Sequence, residues 1–128
     1  MIIVESVQHV SVTVTDLARA RRFYSEVLGL TEIQRPDFDF AGAWFGVGTQ
    51  QIHLIVHPGA RTLRGTTEIS SRDGHVALRV RSYRETLEHL RAHAVPCLER
   101  PDNKTPWAQL YITDPDGNVV ELNADRLE

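Results

Sequence analysis

The chain is 128 residues long, with 41% hydrophobic and 24% charged residues, which suits a domain with its own core and excludes a disordered or membrane-embedded composition. A formal net charge of −3 removes the basic field of a general nucleic-acid binder, and no apolar run is long enough to cross a bilayer. Cys97, the one cysteine, excludes an intrachain disulfide and a thiolate metal cluster, and the opening residues hold no basic region followed by an apolar signal core, so the expected location is the cytoplasm.

Residues 8–14 (QHVSVTV) alternate strictly. Val10, Val12 and Val14 share one face and His9, Ser11 and Thr13 the other, the pattern of a half-buried strand. Asp16 then offers an N-cap, and Leu17, Ala20, Phe23, Tyr24, Val27 and Leu28 recur at helical spacing until Gly29, which predicts a helix over 17–28. Three shorter β-like stretches follow at 30–35, 43–47 and 51–57, separated by Pro36, Gly48 and similar breakers. The first half, about 1–57, therefore reads β-α-β-β-β.

The stretch 58–73 contains Gly59, Gly65 and several threonines and serines, and reads as a linker, of a length that often covers a site. Residues 74–80 (GHVALRV) then repeat the opening phrase, with His75 in the place of His9 at an offset of 75 − 9 = 66. Val76, Leu78 and Val80 oppose His75, Ala77 and Arg79. Ser82 and Glu85 form a capping-box pattern ahead of Tyr83, Leu87, Leu90 and Ala94, which predicts a helix over 83–93. Strands are expected at 96–99, 108–112 and 119–123, the last two joined by a DPDGN turn at 114–118. The second half, about 74–128, is β-α-β-β-β again. The expected fold class is α+β: two βαβββ modules in tandem within one domain spanning 1–128.

The chemistry lies where the repeats agree. His9, His53, His75 and Glu121 all sit opposite the core-facing positions of their strands, at spacings of 53 − 9 = 44 and 121 − 75 = 46 within the two halves. Each half thus offers one ligand-type residue on its first strand and one on its last. Two histidines and a glutamate suit Fe(II) or Mn(II), or Zn(II) with a water. A lone strand histidine is more often a hydrogen-bonded surface or core residue; here repeat position, strand parity and donor chemistry coincide. His57 shares the face of His53 and is its alternative. His89 and His93, four apart on the second helix, fit a solvated face better than a metal site. Arg79 shares the face of His75 and suits either a substrate carboxylate or an ion pair with Glu121 or Asp102. Core or interface packing and ligand contact are both open to Trp44, Trp107, Phe40 and Tyr111.

Residues 9–17 (HVSVTVTDL) with 23–30 (FYSEVLGL), 74–80 (GHVALRV) and 114–122 (DPDGNVVEL) resemble the vicinal oxygen chelate superfamily, the glyoxalase, bleomycin-resistance and extradiol dioxygenase group, over nearly the whole chain. The resemblance implies the glyoxalase-like fold, whose curled sheets form a cup around one divalent metal (Zn, Ni, Mn or Fe), with His9, His75 and Glu121 matching the family's ligands. It also implies a small-molecule substrate and a symmetric homodimer, while the charge and the lack of a spanning run leave neither nucleic acid nor membrane as an expected partner. His53 stands where glyoxalase I has a glutamate that binds metal and moves the substrate proton. The expected site is then His9, His53, His75 and Glu121 on the metal, Glu121 and His53 as catalytic residues, and Arg79, Trp44 and Trp107 against substrate. The activity implied first is lyase- or isomerase-type proton transfer through an enediolate-like intermediate on a substrate with vicinal oxygens. An extradiol-dioxygenase-like or fosfomycin-resistance-like enzyme is the alternative, needing only His9, His75 and Glu121; for the latter Lys104, Arg35 and Arg100 supply a thin cationic set. A non-enzymatic bleomycin-type drug-binding protein is the third.

Overall fold

Strict alternation in the opening phrase produces β1 (His9–Val14), with Val14 fully buried, Val10 and Val12 half-buried, and His9 and Ser11 exposed. The computed structural model describes residues 1–126 and divides into two compact units, Met1–Leu63 and a second beginning at Arg64.

In the first unit the Asp16 carboxylate accepts the amide of Arg19 at 3.1 Å and starts α1 (Leu17–Arg22). The helix predicted over 17–28 changes character at Phe23: a π-helical turn occupies Phe23–Val27, and the amide of Leu28 reaches back five residues to the carbonyl of Phe23 at 3.0 Å. The wider turn lets the adjacent Phe23 and Tyr24 both enter the core, 7% and 1% exposed. Gly29 then ends the segment in the left-handed region at φ +68°.

Strands β2 (Thr31–Ile33), β3 (Gly42–Val47) and β4 (Gln50–Val56) complete a four-stranded sheet in the order β1-β4-β3-β2, with β1 parallel to β4 and the other pairs antiparallel. Its core is Val14, Ala20, Phe23, Tyr24, Ala43, Phe45, Ile52 and Leu54.

The second unit repeats the plan. β5 (His75–Arg79) leads to α2 (Tyr83–Ala92), whose Ser82 N-cap accepts the amide of Glu85 at 3.1 Å and which buries Tyr83, Leu87 and Leu90. β6 (Leu98–Arg100) starts later than the expected 96–99, because Pro96 has no amide proton to give a ladder. β7 (Trp107–Thr113) and β8 (Val119–Asp125) follow, in the sheet order β5-β8-β7-β6. The hairpin between them is organised by buried Asp114, which accepts the amides of Asp116 and Asn118, both at 2.9 Å. The α+β expectation of two βαβββ modules holds, down to a common strand order in both. Among the described residues, no helix is long and apolar enough to cross a membrane.

Candidate functional site

In the first unit, strand register sets the site. His53 occupies the middle of β4, opposite Ser11 on β1 and Trp44 on β3. Its ring is 7% exposed and lies between two others: His9 at 4.1 Å with planes 17° apart, and Trp44 at 3.9 Å with planes 2° apart. Nε2 of His53 is engaged by Gln51 Oε1 at 2.7 Å. His9 is engaged from the other ring nitrogen, Nδ1, by Gln8 Oε1, which leaves its Nε2 available. Burial lowers the pKa of His53, and the charges of His9 and Arg35 lower it further, which favours the neutral ring. His57 lies beyond the end of β4, and it is His53 that meets His9.

The second unit holds the matching pair. Glu121 sits on β8 opposite Ala77 on β5 and Tyr111 on β7, the register that His53 has with Ser11 and Trp44. Its Oε1 accepts the Tyr111 hydroxyl at 2.9 Å and lies 3.3 Å from His75 Nε2, while Oε2 accepts Asn123 Nδ2 at 2.8 Å. Burial by itself would raise this carboxyl; the hydrogen bonds from Asn123, Tyr111 and His75, with the charge of His75, outweigh it and hold Glu121 below the usual carboxylate range. Tyr111 moves the opposite way, raised by burial and then by its bond to the Glu121 anion.

This second pair fits a divalent cation. His75 Nδ1 meets the carbonyl of Asp73 at 2.7 Å, so in the neutral ring the proton resides there and the Nε2 lone pair faces Glu121 Oε1. Two lone-pair donors at 3.3 Å repel each other unless they share a cation or a proton. Metal–ligand bonds of about 2.1 Å place neighbouring ligands about 3–3.4 Å apart, which matches the separation. Among the described residues no three His, Cys, Asp or Glu side chains gather into one cluster; the donors come as two pairs, one in each unit.

The other expected contacts divide. Trp44 stacks on His53 and lines an open cavity of about 430 Å³ in the first unit, together with His9, Arg35, Phe38 and Phe40. Arg79 pairs with Asp125 at 3.3 Å, with neither Glu121 nor Asp102, and lies 5.6 Å from the centre of the Trp107 ring. Both members of that ion pair are exposed, so it adds little stability. His89 and His93 stay on α2, where His93 Nδ1 meets the carbonyl of His89 at 3.0 Å. The sequence reading missed the polar supports Gln51, Asn123 and the Asp73 carbonyl, and the specific role of Tyr111. The available signal was repeat position: Tyr111 faces Glu121 as Trp44 faces His53.

A family model described as the glyoxalase/bleomycin resistance protein/dioxygenase superfamily matches residues 6–122. The chain is 34% identical over 128 aligned residues to Glyoxylase I 4 of Arabidopsis thaliana, covering 95% of this chain and 72% of that protein. Among solved structures, a glyoxalase family protein from Bacillus anthracis aligns with a TM-score of 0.81 at 24% identity over 98% of each chain. A variant of the fosfomycin resistance protein FosX from Listeria monocytogenes, in complex with Mn(II) and 1S,2S-dihydroxypropylphosphonic acid, aligns with a TM-score of 0.77 at 20% identity, over 98% of this chain and 95% of that one.

Proposed function

We propose a function from one premise: the chain belongs to the glyoxalase/bleomycin resistance protein/dioxygenase superfamily. On that footing it is a metal-dependent enzyme of the glyoxalase type, a lyase or isomerase that moves a proton on a small substrate with vicinal oxygens. The observation that carries this reading is the pair of register-equivalent donor sets, His9 with His53 and His75 with Glu121.

His9, His75 and Glu121 are the proposed ligands of one divalent ion of the Zn, Ni, Mn or Fe class; FosX of Listeria monocytogenes was crystallised with Mn(II). Such an ion, when bound, would polarise the vicinal oxygens and acidify the C–H of the carbons that bear them. Glu121 enters this set as an anion, oriented by Tyr111 and Asn123. His53 is the fourth donor or the base. With Nε2 committed to Gln51, its lone pair is on Nδ1, which as base takes a proton from one carbon and returns it to the neighbouring one, leaving the enzyme unchanged. Trp44 and His9 flank the ring and fix its plane. A homodimer with two sites and a cytoplasmic location belong to the same proposal.

Metal analysis of protein purified without chelators tests the ligand set, repeated on His9→Ala, His75→Ala, Glu121→Ala and His53→Ala. The expected result is loss of metal in the first three. Metal kept by His53→Ala, with exchange of solvent deuterium into an α-hydroxy thioester abolished, assigns His53 as base. Stoichiometric metal in all four variants ends the proposal.

A further inference from the structure

Beside His53, the loop between β2 and β3 builds a feature that metal chemistry does not require. Phe38 and Phe40 stack on each other with ring centres 5.1 Å apart and planes at 15°, yet each remains 42% exposed. The Arg35 guanidinium lies 4.8 Å from one ring centre and 4.9 Å from the other, and its Nη2 donates to the carbonyl of Phe40 at 2.8 Å. Gly42 leaves space beside it: a β-carbon there would stand 2.3 Å from the Leu54 carbonyl oxygen, 2.9 Å from Arg35 Nη2 and 3.0 Å from Nε. The guanidinium is thus held by two rings, a carbonyl and an absent side chain.

Among the described residues, no Asp or Glu forms an ion pair with Arg35. Of its five N–H donors one is committed to Phe40, so a planar donor set remains for a ligand. Phe38 approaches Trp44 at 6.1 Å, and these aromatics and Arg35 wall the same cavity of about 430 Å³ that contains His9 and His53. That is ample for one small ligand.

We propose that Arg35 is the anion anchor of this cavity and that its ligand is a flat apolar carboxylate, the carboxylate on Arg35 and the flat body against Phe38, Phe40 and Trp44. The proposal names the substrate class of the site described above and rests on that enzymatic reading only for the vicinal oxygens. Carboxylate recognition and aromatic stacking both proceed without a metal. A guanidinium held in place gives up little side-chain freedom when it binds, which raises affinity for the anion.

The test is titration of the metal-free full-length protein with benzoate, benzamide and acetate, followed by tryptophan fluorescence. Benzoate is expected to bind at least about tenfold tighter than benzamide, the scale of one charge-assisted hydrogen bond. Acetate, lacking the flat body, is expected to bind more weakly than benzoate. In Arg35→Gln the preference for benzoate over benzamide disappears while benzamide binding is kept; in Phe40→Leu both aromatic ligands weaken together. Equal binding of benzoate and benzamide by the wild-type chain, or no benzoate binding, overturns the proposal without recourse to any variant, as does a preference that survives Arg35→Gln. A chain that shows the preference but takes up no metal keeps the anion site and loses the enzymatic reading.

Discussion

Trp44 and His53 lie face to face, 3.9 Å between ring centres and 2° from parallel, at the register position where Tyr111 meets Glu121 in the second unit. Each unit therefore backs its last-strand donor with an aromatic residue from the neighbouring strand, but by different physics. The imidazole is held by a ring face, the carboxylate by a hydroxyl.

The stack makes Trp44 the residue that fixes the plane of His53. Trp44→Leu removes the indole face while keeping an apolar side chain on β3. The His53 ring protons are then expected to shift downfield in NMR spectra, because the shielding of a parallel indole is lost. Unchanged His53 shifts in a folded variant would show that the stack does not persist in solution.

Tyr111 donates to the same Glu121 oxygen that faces His75. Tyr111→Phe removes this bond without emptying the space, and leaves Asn123 as the remaining neutral donor to the carboxylate. Loss of such an outer support typically weakens metal affinity by about 10–100-fold. Competition with a chelator of known affinity measures it; an affinity equal to wild type would remove Tyr111 from the metal-supporting shell.

Strand parity made His9, His53, His75 and Glu121 legible before any coordinates, because a β-strand has a period of two and each residue stood opposite a run of valine or leucine. The shared topology was legible for the same reason. What pattern could not carry was anything decided by contact. β8 is buried from Val119 to Ala124 on both faces, so its alternation leaves no trace in exposure. The π-helical turn at Phe23–Val27 has the apolar sequence spacing of an ordinary helix, and its difference lies in which carbonyl each amide reaches and in the wider turn that results. Arg79 met Asp125 because the β5–β8 pairing sets Arg79 against Asn123, two residues before Asp125, a register no single strand discloses. Arg35 was visible as a charge, but its seat over Gly42 depends on how the 34–41 loop folds back.

Cys97 carries a prediction on pH. Burial pushes its thiol above the ordinary value, Glu99 adds to the rise, and Arg91, 3.5 Å from Glu99, opposes it. The thiolate is the reactive form, so a raised pKa lowers the reactive fraction at any given pH. Alkylation by iodoacetamide is expected to be slower than that of free cysteine in mild alkali, with a midpoint displaced to higher pH. Glu99→Gln brings the midpoint down and Arg91→Gln takes it up; a midpoint at or below that of free cysteine contradicts the burial.

Gly117 and Gly48 both adopt positive φ, +86° and +57°, yet their substitutions are expected to differ sharply. A β-carbon on Gly48 meets nothing within 4 Å, so Gly48→Ala carries only the left-handed backbone cost of about 1–2 kcal/mol. On Gly117 it would stand 1.8 Å from the carbonyl oxygen of Thr66, inside the loop that Arg64 ties to the β7–β8 turn through the Gly117 carbonyl at 2.6 Å. The clash is with backbone, and relief requires displacing that loop along with the contact of Thr113 Oγ1 to the Thr67 carbonyl. Gly117→Ala is therefore expected to cost about 3 kcal/mol or more in urea unfolding, well beyond Gly48→Ala. Equal losses would mean that the 64–73 loop does not press on the turn. Arg64→Ala in the Gly117→Ala background then separates the two contributions: with the tether gone the loop moves away more easily, and the second substitution costs less than it does alone.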